Sequence, residues 1–125
     1  MAIQVLIVDD NEGVLFLHEL MVEESGLSDD IKTFNSAEKA LTFLDQGSSQ
    51  DFKTIFLDLN MPGMSGWDFI NHISGDESYK YLKVIIVTSS INKSDKIISE
   101  KYSQIIGFIE KPLSLEDCVR LKESL

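Results

Sequence analysis

Short apolar runs, each followed by a stretch with helical spacing, leave this chain few architectures. Ile3 to Val8, Thr54 to Leu57 and Val84 to Val87 are continuous runs of strand length. Runs of that kind mark strands buried on both faces. Ile31 to Phe34 is shorter and more polar, as an edge strand would be, and Ile105 to Ile109 is the last strand. Helical spacing fills the gaps. Asn11 is placed to cap a first helix in which Val14, Leu17 and Met21 recur as the inward stripe, and Gly26 ends it. Ser36 caps a second helix carrying Ala37, Ala40, Leu41 and Leu44, terminated by Gly47 and followed by a polar loop over 48–53. A third runs from about Gly66 to Ser74 and buries Phe69, Ile70 and Ile73. A polar fourth runs from about Lys93 to Tyr102 with Ile97 and Ile98 facing inward. Ser114 caps a fifth that bears Leu115, Cys118, Val119 and Leu121. Five strands and five helices in strict alternation predict an α/β fold: a parallel sheet with right-handed crossovers and helices on both faces.

Two buried strands end in acids, and burial gives no reason for it. Asp9 and Asp10 follow Val8, and Asp58 follows Leu57 just before the turn Met61-Pro62-Gly63-Met64-Ser65-Gly66. In a parallel sheet all carboxyl ends share one rim, where α/β folds carry their chemistry. That rim gathers Asp9, Asp10, Asp58, Thr88 and Lys111. Three neighbouring carboxylates repel and disturb one another's titration, which a hard divalent cation relieves. Mg2+ takes oxygen ligands and suits two carboxylates with a backbone carbonyl. Thr88 offers a hydroxyl and Lys111 a positive charge. Metal, hydroxyl and ammonium together match the equatorial oxygens of a phosphoryl group in transfer, which leaves Asp58 as the nucleophile.

Composition excludes several alternatives. The chain has 125 residues, the size of one domain, and 43% of them are hydrophobic, too many for a disordered acidic tail. A formal net charge of -10 argues against direct nucleic-acid binding, which needs Lys and Arg against phosphates, and against docking on anionic lipid. The single cysteine, Cys118, reads as a small buried residue. No apolar stretch reaches the length of a membrane span, and Met1-Ala2 leads directly into a strand. The expectation is one cytoplasmic domain over 1–125, with no output module of its own.

The segments Val8-Asp9-Asp10-Asn11, Asp58-Leu59-Asn60-Met61-Pro62-Gly63-Met64-Ser65-Gly66, Val87-Thr88-Ser89 and Phe108-Ile109-Glu110-Lys111-Pro112 resemble, in order and spacing, the receiver domains of two-component response regulators. The likeness is to the single-domain, chemotaxis-regulator-like kind, and it covers the whole chain. It implies a flavodoxin-like, doubly wound sheet of order 2-1-3-4-5. It also implies roles: Asp58 as phosphoacceptor, with Mg2+ held by Asp10 directly, by Asp9 largely through water, by Asp58 and by the Asn60 backbone carbonyl. Thr88 would be the switch hydroxyl, Lys111 the phosphate-pairing lysine and Phe108 the switch aromatic, with a cis Lys111-Pro112 bond. Partners would be a histidine kinase or phosphotransfer protein and an output protein, with the receiver a monomer or weak homodimer. Ser89 stands where alanine is commonest in the family, and Phe108 where tyrosine is.

Bland readings stand beside these. Thr88 alone could equally cap the next helix, and Phe108 alone reads as core. Trp67 reads as packing on the third helix, and His18 and His72 as packing or surface residues without ligand partners. Leu15 and Phe16 make the first helix apolar over more than one face, which fits either a generous core or a docking patch. One rival function is an aspartyl-phosphate phosphatase, which lacks here its Asp-x-Asp spacing and cap. The other is a pseudo-receiver acting only as an interaction module.

Overall fold

The computed structural model describes residues 3–46, 52–89 and 91–125. Within them the sheet has five parallel strands: β1 (Gln4–Val8), β2 (Ile31–Phe34), β3 (Lys53–Leu57), β4 (Leu82–Thr88) and β5 (Ile105–Glu110). Their order is β2-β1-β3-β4-β5, the doubly wound arrangement expected. Five helices alternate with them: α1 (Glu12–Ser25), α2 (Ala37–Gln46), α3 (Gly66–Ser74), α4 (Lys93–Ser99) and α5 (Leu115–Ser124). Among the described residues a 3-10 turn, Glu77–Tyr79, also precedes β4, which the apolar spacing does not announce.

Strand alternation divides the core into two layers. Leu6, Val8, Ile55, Leu57, Val84 and Ile86 point to one face, which α2 covers with Ala37, Ala40, Leu41 and Leu44 and α3 with Phe69, Ile70 and Ile73. Val5, Ile7, Phe56, Ile85 and Val87 point to the other, covered by Leu15 and Val22 of α1 and Cys118 of α5. Burying a side chain the size of Phe56 or Phe69 is worth roughly 1.5–3 kcal/mol each, so both layers hold the sheet firmly. The edge strand β2 is only half-buried.

Caps fix the helix starts as expected. Asn11 Oδ1 accepts from Val14 N at 3.1 Å, and Ser36 Oγ accepts from Lys39 N at 3.2 Å. Ser65 and Ser114 each form a reciprocal capping box with the acid three residues on, Asp68 and Asp117. Gly26 closes α1 in the left-handed region at φ 78°, where a Cβ would be strained. The expected stop at Gly47 lies outside the described residues, as does Ser90.

Three expectations need correction. The inward stripe of α1 is Leu15, His18 and Val22, one residue on from Val14, Leu17 and Met21; Leu17 is exposed. Because α1 is apolar over much of its surface, periodicity alone could not set its rotation. α4 ends at Ser99 rather than Tyr102, and it buries none of its residues: Ile97 and Ile98 are exposed. β3 begins at Lys53, inside the segment read as loop.

Candidate functional site

The last rungs of the sheet place the acids. Asp9 N donates to Phe34 O at 3.1 Å, Asp58 N to Val8 O at 3.0 Å and Lys111 N to Thr88 O at 2.7 Å. Each residue thus continues the ladder one step past its strand before the chain turns away. Asp9, Asp58 and Thr88 are buried at that rim, while Asp10 and Asn60 are exposed beside it.

The two buried carboxylates are held alike. Asp9 Oδ1 accepts from Asn11 N at 2.9 Å, and Asp58 Oδ1 accepts from Asn60 N at 3.3 Å. Their other oxygens face one ammonium: Lys111 Nζ lies 2.6 Å from Asp9 Oδ2 and 3.4 Å from Asp58 Oδ2. Burial pushes the Asp58 carboxyl above its ordinary range and the charge of Asp9 pushes it further, with Lys111 and the Asn60 amide opposing. Burial acts to lower Lys111, but its hydrogen bond to Asp9 and the negative charges of Asp58 and Asp9 outweigh that, and its pKa is raised. One cation therefore stands against two buried acids and an exposed third.

Asp9, Asp10 and Asp58 each offer a carboxylate oxygen within 4.8 Å of the others. An all-oxygen set with excess negative charge fits a hard divalent ion such as Mg2+ and does not fit a soft one. The Lys111-Pro112 bond is cis, as expected. Phe108 lies half-buried against the layer that α2 and α3 cover. Every residue that the sequence placed on the rim is found there, and His72 packs at a tilt against Tyr79 away from it.

The family model for the response regulator receiver domain matches residues 5–122. The chain is 31% identical over 122 residues to chemotaxis protein CheY-3 of Vibrio cholerae, covering 98% of this chain and 88% of that one. The chain belongs to the response regulator receiver family. It is also 29% identical to chemotaxis protein CheY of Pseudomonas aeruginosa, over 90% of this chain and 87% of that one. Among solved structures, a response regulator receiver protein from Dyadobacter fermentans is 32% identical with a TM-score of 0.84, covering 99% of this chain and 95% of that one. A two component response regulator from Cytophaga hutchinsonii superposes with a TM-score of 0.89 at 23% identity, over 99% and 97%, which speaks to the fold.

In this receiver His18 and Trp67 both pack, as the sequence allowed, but each also makes a hydrogen bond that the sequence does not announce. His18 is buried, and its Nε2 accepts from Leu113 N at 3.1 Å, across 95 residues of chain. Its spacing from Leu15 and Val22 was the available signal, hidden by histidine's polarity. Trp67 does pack, but its Nε1 also donates to Asp95 Oδ1 at 3.2 Å, joining α3 to α4. Among the described residues no helix is long and apolar enough to cross a membrane.

Proposed function

We propose that Asp58 is the phosphoacceptor of a stand-alone receiver, one domain over 1–125, working in the cytoplasm. The observation that carries this is the shared ammonium: Lys111 faces the inner oxygens of both Asp9 and Asp58. A carboxylate oxygen of Asp58 attacks the phosphorus of a phosphohistidine on a kinase or phosphotransfer protein. The new oxygen–phosphorus bond forms as the nitrogen–phosphorus bond breaks, and the imidazole leaves with the bonding electrons. Asp58 must be ionised to attack, so Lys111 acts first by offsetting the burial that favours its protonated form. Once the acyl phosphate exists, the same ammonium pairs with it, and the Thr88 hydroxyl turns toward it as donor.

Asp9, Asp10 and Asp58, with the Asn60 backbone carbonyl, would hold Mg2+, which when bound neutralises charge on the phosphoryl oxygens. Phe108, on β5 beside the rim, packs further inward as Thr88 moves, and the change in the surface of α4, β5 and α5 alters affinity for an output partner. The two states differ by local charge and packing, so phosphorylation shifts a population that already exists. Catalysis extends no further than the chain's own phosphorylation and dephosphorylation.

The test is intact mass after incubation with acetyl phosphate and Mg2+. One phosphate adduct forms in the wild type and none in Asp58→Asn. Absence of an adduct from the wild type, or its survival in the variant, would refute the assignment. Steady turnover of phosphate esters would instead mark a phosphatase.

A further inference from the structure

The loop that carries Lys111 has little regular structure to hold it. β5 ends at Glu110 and α5 begins at Leu115. Between them Pro112 has no amide hydrogen to offer. Lys111 N is tied to Thr88 O, and Ser114 N is taken by Asp117 Oδ2 within the cap of α5. The remaining donor, Leu113 N, goes to His18 Nε2 at 3.1 Å. The imidazole comes from α1, whose cap residue Asn11 directly follows the Asp9-Asp10 pair. Leu113 and His18 are both buried, in the layer between the sheet and α1 and α5.

We propose that His18 is a positioning residue for phosphoryl transfer: by holding the Leu113 amide it fixes the Lys111-Pro112 turn, and with it the Lys111 ammonium, between Asp9 and Asp58. The inference rests on the phosphoacceptor reading above. An imidazole nitrogen that accepts a backbone hydrogen bond carries no proton, so His18 is neutral in this arrangement. Its surroundings agree. Burial holds its pKa down; the charge of Asp9 opposes this and that of Lys111 adds to it. Removing the acceptor leaves a buried N–H unpartnered, and such a group is satisfied elsewhere, here only by movement of the loop. Lys111 lies two residues away on that loop, and its 2.6 Å contact with Asp9 does not survive much displacement.

The experiment compares His18→Met, which keeps bulk but loses the acceptor, with His18→Gln, whose amide oxygen can replace it. His18→Leu is carried alongside in case the methionine variant does not fold. Two readouts are taken on the full chain. One is labelling of Lys111 by an amine-reactive ester relative to the exposed Lys80, read by peptide mass. The other is the rate of adduct formation with acetyl phosphate and Mg2+. His18→Met should label several-fold faster at Lys111 and form adduct about tenfold more slowly, because a misplaced charge loses part of its transition-state stabilisation. His18→Gln should stay near wild type in both. Unchanged Lys111 labelling in folded His18→Met or His18→Leu overturns the proposal, whatever happens to the adduct. Equal damage in His18→Gln also overturns it, since packing rather than the acceptor would then be at issue. A wild type that forms no adduct refutes the phosphoacceptor reading instead, and Lys111 labelling still decides the role of His18.

Discussion

Gly66, the first residue of α3, lies tight against the backbone of Asp58 and Leu59, and adding one methyl there tests that contact. A Cβ at this position would lie 2.5 Å from Asp58 O, 2.7 Å from Leu59 Cα and 3.0 Å from Leu59 Cδ2. Carbon atoms pack best at about 3.5–4.0 Å, so the first two are deep overlaps, and both are with backbone. No rotamer change relieves them; the start of α3 must move away from the Asp58 loop. The move also stretches the 3.0 Å bond from Gly66 N to Leu59 O. Overpacking costs about 1–3 kcal/mol. The weakened hydrogen bond adds about 1 kcal/mol. A stiffer unfolded chain returns about 0.4–1 kcal/mol. The net loss is roughly 1–3.5 kcal/mol, which for a domain of this size lowers Tm by about 3–20 °C. Gly75→Ala is the internal control, because nothing lies within 4 Å of its added Cβ, and it should melt at or slightly above wild type. Thermal unfolding followed by circular dichroism reads both. If Gly66→Ala melts with wild type, the close approach of α3 to Asp58 is not as described.

The pH dependence of Asp58→Asn follows from the raised carboxyl. A folded pKa above the unfolded one means the folded state binds the proton more tightly, so ionisation weakens the fold. The penalty is absent below the usual carboxylate range and complete above the raised folded value. In urea titrations without divalent ions, wild type should therefore lose stability relative to Asp58→Asn as pH rises through that window. A difference constant with pH would contradict this. Lys111→Met removes the cation between Asp9 and Asp58 and should cost about 2–4 kcal/mol near neutral pH, toward the lower end for buried pairs because the rim is open to water at Asp10. The loss should shrink in acid as the carboxylates protonate. A variant as stable as wild type by urea unfolding would show that the ion pairs contribute nothing.

Much of this protein was legible in its sequence because two periodicities suffice for it. Apolar runs at Ile3 to Val8 and Val84 to Val87 can be satisfied only by burial on both faces, which demands helices above and below. Once the strands are parallel, chain direction alone sends Asp9, Asp58, Thr88 and Lys111 to one rim. The rotation of α1 and the extent of α4 were not legible. α1 carries apolar residues around much of its circumference, so local pattern is nearly degenerate, and the face turned inward carries Leu15 and Val22 together with His18, which accepts from the distant amide of Leu113. α4 has apolar residues at helical spacing, yet it buries none of them.

The layered architecture and the membership of the acidic rim both follow from spacing along one chain. Folding in three dimensions was needed to bring one ammonium against two buried carboxylates, to raise Asp58 by burial and to turn His18 of α1 toward the lysine loop. Those are properties of distance and solvent access between residues far apart in sequence, and no local pattern encodes them.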